Sequence, residues 1–207
     1  MRTTVYVDGF NLYYGALRGT PHRWLNLETL ARLLLPQNQI TAIKYYTALV
    51  NARPNDPDQP MRQQTYLRAL RTLPTISIHF GHFLTHTVRM PLANPPPGGP
   101  FTADVIKAEE KGSDVNIAAH LIADGYENRY DVAVVVSNDS DLAEPVRIVA
   151  KDLGKTVGIL NSRKHPTRVL LANATFFKQV RTGVLAASQF PPQLTDANGT
   201  FHKPVSW

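Results

Sequence analysis

A three-layer α/β/α sandwich around a mainly parallel central sheet is the architecture this sequence predicts, and three observations predict it. Apolar runs of strand length alternate with helical stretches, as βαβ units do. One run, residues 132–136, is apolar throughout, the pattern of a strand buried on both faces. Two of the runs stop abruptly in acidic, turn-forming residues, at Asp8 and at Asp139 and Asp141. The carboxyl ends of parallel strands are where such sheets bind ligands, so these acids are the first candidates for function.

Taken in order, residues 3–7 read as a strand ending at Asp8-Gly9-Phe10-Asn11, with a helix over residues 12–17. Leu27, Leu30, Ala31 and Leu34 fall at helical spacing, with Asn26 as N-cap and Pro36 as the stop. A strand over 40–50, a Pro/Asp/Asn linker over 51–60, a helix over 61–73 and an alternating strand over 75–80 complete three βα units. Regularity breaks over residues 81–110, read as a hairpin-like excursion whose strands, 83–92 and 102–107, flank a Pro/Gly loop at 95–100. From Ser113 a helix follows with Val115, Ala118, Ala119 and Ile122 as its apolar stripe and Gly125 as its end. Strands at 131–136, 156–160 and 175–180 alternate with helices at 142–153 and 167–172. Residues 1–180 therefore form the domain, and 181–207 a C-terminal arm with weak core packing beyond 187.

At 207 residues and 43% hydrophobic content the chain suits one well-buried domain. Cysteine is absent, which excludes disulfides and thiolate zinc sites. The N-terminus is charged too early for a signal peptide, and no segment approaches the roughly 18 apolar residues of a membrane span, so the expectation is a cytoplasmic protein without a membrane partner. A net charge of +6 and a pI near 9.7 favour a polyanion such as RNA, although basic proteins without such a partner are common.

Asp8, Asp114, Asp139 and Asp141 are candidates for one site. Asp8 and Asp139 come together if the first and fourth strands of a doubly wound sheet adjoin, and Asp114 opens a helix. Crowded carboxylates stay ionised near neutrality only when a cation neutralises them. Mg²⁺ or Mn²⁺ suits such an all-oxygen site, and its chemistry there is phosphodiester hydrolysis by an activated water. Helix capping is the competing reading for Asp139, Asp141 and Asp114. A cap explains one acid per helix, whereas two polar strand ends of one kind call for a common cause.

Val7-Asp8-Gly9-Phe10-Asn11-Leu12-Tyr13, Lys111-Gly112-Ser113-Asp114-Val115 and Val136-Ser137-Asn138-Asp139-Ser140-Asp141-Leu142 together resemble the NYN domain family, a branch of the PIN-like nuclease superfamily. The resemblance spans residues 1–180 and implies a PIN-like fold with divalent-metal-dependent ribonuclease chemistry; with the acids and the basic charge, the expectation is an endonuclease acting on single-stranded or structured RNA. It implies that Asp8, Asp114 and Asp139 bind the metal and that Asp141 is a fourth acid, acting directly or through water. It also implies that Asn11 supports Asp8 or the substrate, and that Ser137 and Asn138 line the cleft. The alternative is a non-catalytic RNA-binding or regulatory module on the same fold. An aspartyl-phosphate phosphatase is disfavoured, because the first strand ends Asp-Gly-Phe-Asn and not Asp-x-Asp.

Lys107 and Lys111 flank the acids, as phosphate contacts or as solvated surface lysines. Arg163, Lys164, His165, Arg168, Lys178 and Arg181 form the stronger basic series, with Phe176 and Phe177 read as core. His79, His82 and His86 read as ordinary strand or surface histidines. Trp207 and His202 are the tail residues open to a homodimer contact.

Overall fold

The computed structural model describes residues 1–207. The chain begins in β1 (Arg2–Asp8), passes through one helical turn, α1 (Gly9–Leu12), into a wider π-turn (Tyr13–Leu17), and continues as α2 (Leu27–Leu34), β2 (Gln39–Thr47), α3 (Gln59–Leu70) and β3 (Ile76–Phe80). A hairpin follows, β4 (His82–Pro91) and β5 (Thr102–Lys111), then α4 (Ser113–Tyr126), β6 (Val132–Val136), α5 (Ala143–Arg147) and β7 (Thr156–Asn161). The remainder is α6 (Arg168–Asn173), β8 (Phe176–Gln179), α7 (Thr182–Ala187) and a small hairpin of β9 (Gln193–Asp196) and β10 (Gly199–His202).

Six strands form one parallel sheet in the order β3-β2-β1-β6-β7-β8. The sheet's first and fourth strands, β1 and β6, lie side by side with Val7 opposite Val136. Strand order reverses between them, so successive connections run away in opposite directions and leave a crevice at the carboxyl ends. Side chains alternate across the sheet with a period of two. Val5, Val7, Val132, Val134 and Val136 pack toward α2, α3 and α7. Tyr6, Ala133, Val135 and Ile159 pack toward α4, α5 and α6. Helices thus cover both faces, the three-layer sandwich, and β6 is apolar throughout because neither of its faces meets water. Each fully buried aliphatic side chain there contributes about 1.5–3 kcal/mol.

Several elements differ in detail from the sequence reading. The buried side of α4 is Ser113, Ile117, Leu121, Asp124 and Gly125, while Val115 is 71% exposed. The inner face lies away from the expected apolar stripe because polar Asp124 sits on it, where Tyr6 Oη and Lys44 Nζ each stand 2.6 Å from its Oδ2. The stretch 142–153 is no continuous α-helix but a 3₁₀ turn (Ser140–Leu142), α5 and a π-turn (Ile148–Asp152). Pro145, without an N–H, denies it a regular ladder at its start. Beyond residue 187 the expected weak packing is not found: Phe190 and Phe201 are buried, and with Trp207 they close around the fully buried Trp24 at ring separations of 5.7, 6.5 and 6.3 Å. Arg68 anchors this tail, pairing with Asp196 at 2.7 Å and lying 4.2 Å above the Phe201 ring.

The excursion is a ladder of paired residues from His82↔Lys111 to Pro91↔Thr102, longer on its return side than expected. Its foot sets Phe83 opposite Glu110. Gly112, at φ +99°, then turns the chain from β5 into α4 in a left-handed conformation that a side chain would strain.

Candidate acidic cleft at the crossing of the two half-sheets

Asp8 ends β1 and is 5% exposed. Its Oδ1 accepts the Asn11 N–H at 2.9 Å, capping α1, and its Oδ2 accepts the Ser137 hydroxyl at 3.0 Å from the end of β6. The Ser137 Oγ accepts the Asp139 N–H at 3.1 Å, and Asp139 Oδ1 accepts the Asp141 N–H at 3.0 Å. Asn11 Oδ1 accepts the Asn138 N–H at 3.1 Å. The two strand ends are therefore tied by side chains as well as by the ladder. Gly9 permits the tight departure after Asp8, since a Cβ there would stand 2.6 Å from Tyr45 Oη and 2.7 Å from the Tyr46 carbonyl.

Asp8, Asp114, Asp139 and Asn11 line one cleft of about 360 Å³, with Glu110, Arg163 and Arg53 also on its walls. The carboxylates feel one another. Burial raises Asp8 above the usual carboxylate range against the Asn11 and Ser137 hydrogen bonds, and the charges of Asp139 and Glu110 push it further. Asp114 is pushed up to about 6, by burial first and then by Asp8, Asp139, Glu110 and Asp141. No three His, Cys, Asp or Glu side chains are gathered closely enough to ligate one ion among themselves. The donor set nonetheless fits a hard cation: it is all oxygen and mutually repelling, and Mg²⁺ commonly binds through one or two carboxylates while keeping several waters.

The other expected site residues are dispersed. Asp141 is exposed, outside the cleft wall, in the turn whose N–H Asp139 caps. Ser137 is wholly buried beneath Asp8. The Asn138 side chain turns to the His165 carbonyl and the Thr167 N–H. Lys107 and Lys111 both pair with Glu109 on the hairpin, at 2.6 and 3.3 Å. Glu110 is not among the acids the sequence singles out, because it sits in a strand of mixed charge; its Oε1 accepts the Ser113 N–H and hydroxyl, so the acid also caps α4. Its position two residues before Gly112 was the available signal. Of the basic series, Arg163 reaches the cleft, while Lys178 donates to the Leu34 carbonyl at 2.6 Å.

A family model described as the NYN domain matches residues 2–180. The chain belongs to the NYN domain family. NYN domains are part of the PIN-like nuclease superfamily, and the parallel sheet with helices on both faces accords with that fold. The NYN chain is 31% identical, over 238 aligned positions, to the 6-hydroxy-3-succinoylpyridine 3-monooxygenase HspA of Pseudomonas putida (strain DSM 28022 / S16), covering 100% of this chain and 75% of that protein. A crystal structure of a protein of unknown function from Vibrio parahaemolyticus RIMD 2210633 matches it with a TM-score of 0.58 and 18% identity, over 87% of this chain and 93% of the other. At that identity the likeness is one of fold. No helix is long and apolar enough to cross a membrane.

Proposed function

We propose that this NYN domain protein is a Mg²⁺- or Mn²⁺-dependent ribonuclease that hydrolyses RNA phosphodiesters in the cleft of Asp8, Asp114 and Asp139. One observation carries the reading: acids from three separate segments, with Glu110 as a fourth, face a single cleft at the switch point of a basic chain. The ion, when bound, supplies Lewis acidity and an activated water. Asp8 is held in one orientation by Asn11 and Ser137, so it meets a ligand without reordering. Asp139 and Asp114 complete the anionic wall, and Asp141 acts from the rim through water. Arg163 and Arg53 offer cationic contacts to the strand's phosphates, with Lys107 and Lys111 extending that surface along the hairpin.

Asp8→Asn and Asp139→Asn are each expected to slow cleavage of a labelled single-stranded RNA about a hundredfold or more, and EDTA to abolish it in the native protein. Undiminished cleavage in both variants and in EDTA sinks the reading. Salt-sensitive RNA binding without turnover assigns the chain instead to the non-catalytic binding module.

A second reading is favoured by the whole-chain identity to a protein named as a pyridine monooxygenase: oxygenation of a small heteroaromatic compound. Oxygen consumption with hydroxylation of 6-hydroxy-3-succinoylpyridine when a chemical reductant is supplied, with RNA left intact, would select it.

A further inference from the structure

The acidic cleft does not end at its carboxylates. Phe10, Tyr14 and Val50 line both the cleft and a second, half-open groove, so the two spaces are continuous. Tyr13 and Trp207 wall that groove, over a floor of the buried Tyr45 and Tyr66. Trp207 belongs to the C-terminal arm, beyond the residues 2–180 that the family model matches, and packs on Tyr66 at a ring separation of 5.7 Å. The π-turn sets the junction of the two spaces. It leaves Tyr14 43% exposed, while Gly15 lies so close to the end of β7 that a Cβ would stand 2.4 Å from Ser162 Oγ and 3.1 Å from Arg163 Cγ. Cations without carboxylate partners surround this junction: Arg18 lies 5.5 Å over the Tyr14 ring, and Arg53 and Arg163 stand on the cleft wall. None of the three belongs to an ion pair, whereas Arg62 in the groove is paired with Asp56, and Lys107 and Lys111 on the hairpin with Glu109.

An aromatic groove that runs into an acidic site bordered by unpaired guanidiniums suits a chain in which flat rings alternate with anionic links. Its open side admits one ring or a fused pair, so it does not select among bases. A base inside a duplex is paired and stacked between its neighbours, and it must leave that stack before a protein can enclose it. We propose that this groove stacks the base of one unpaired nucleotide, whatever that base is, next to the phosphodiester at Asp8 and Asp139, and that Trp207 of the arm is part of the substrate site. The assignment rests on the ribonuclease reading and adds to it a single-strand requirement and the residues that impose it.

Fluorescence anisotropy of a labelled RNA in EDTA separates binding from turnover. Tyr14→Ala is expected to weaken binding of a single-stranded oligonucleotide about tenfold and of a duplex of the same sequence not at all, while Tyr14→Phe, which keeps the ring, retains native affinity. Trp207→Leu should weaken the single strand as well. Tyr14 is the deciding position, because its side chain is exposed and its loss leaves the core intact. With Mg²⁺ present, one abasic residue placed in a single strand should suppress cleavage about tenfold at one fixed offset from itself, and Tyr14→Ala should remove that difference. An unchanged single-strand affinity in Tyr14→Ala, or an equal loss for the duplex, overturns the proposal. Native affinity in Trp207→Leu overturns the arm's part in it. Cleavage that ignores the abasic residue overturns the stacking site and leaves the ribonuclease reading standing. Binding of 2-pyridone, followed by tryptophan emission, that a single strand fails to displace assigns the groove to a free ring and overturns the RNA site, whereas displacement supports it. Ring-dependent binding of a single strand with no cleavage in Mg²⁺ or Mn²⁺ removes the ribonuclease reading and, with it, the placement of the base beside a scissile phosphate.

Discussion

Asp114 is half-buried among like charges, and its carboxyl ionises near 6 where an unfolded aspartate does so at 3.8. Between those values the folded chain holds a proton that the unfolded chain has lost, so stability falls as pH rises through the window. The favourable contribution is fully present below the unfolded value and gone once pH exceeds the folded one. Asp114→Asn should therefore stabilise the protein in EDTA at about pH 8 by on the order of 1 kcal/mol, a figure reduced for water screening at a half-exposed group. At about pH 4 it should give no gain, and urea unfolding at the two pH values checks both. The acids were legible in the sequence because each follows a strand end or opens a helix. The sequence also sets Asp141 behind the other three, as a fourth acid or a helix cap, but whether it faces the cleft or the solvent depends on a turn closed by the Asp139 side chain. Glu110 was hidden for a similar reason: only the pairing with Phe83 aims it inward.

At the scale of elements, α4 carries a functional acid at one end and a structural acid at the other. Asp114 looks into the cleft, and Asp124 lies buried beside Tyr6, Lys44 and, at 3.6 Å, Arg129. Asp124→Ala leaves Lys44, 16% exposed, facing a hydroxyl where it had a carboxylate, and should cost about 3–5 kcal/mol in chemical denaturation. Alongside, Tyr46 Oη meets His120 Nδ1 at 2.9 Å, and the His79 ring lies 4.6 Å from that of His120. Sequence proximity had grouped His79 with His82 and His86, whereas the sheet pairs it with a helix. At the start of α4, Gly112→Ala forces a Cβ onto a left-handed residue, costing about 1–2 kcal/mol, and should lower the melting temperature and, on the proposed ribonuclease function, lower cleavage by displacing Asp114. Periodicity located most helices and strands, but a buried polar network on α4 shifted its inner face away from the most apolar side.

Across the whole molecule, the parallel sheet follows from the alternation of apolar runs, and the position of Asp8 beside Asp139 follows from the strand order. The closure of the tail on Trp24 did not, because Phe190, Phe201 and Trp207 are scattered singly through a polar stretch and acquire a common purpose only in three dimensions. Removing residues 189–207 should uncover Trp24, shift its fluorescence to the red and cost about 4–6 kcal/mol in urea unfolding, the burial of Phe190 and Phe201 being the larger share. The adjacency of Val7 and Val136 has a thermodynamic corollary. Asp8 and Asp139 belong to distant parts of the chain and share a wall solely in the native state, so a ligand spanning them has no affinity for the denatured ensemble. Such a ligand at a hundred times its dissociation constant adds roughly 2.7 kcal/mol to the unfolding free energy. Heat resistance thereby becomes a binding assay, able to rank metal ions and oligonucleotides by mass action before any turnover is measured.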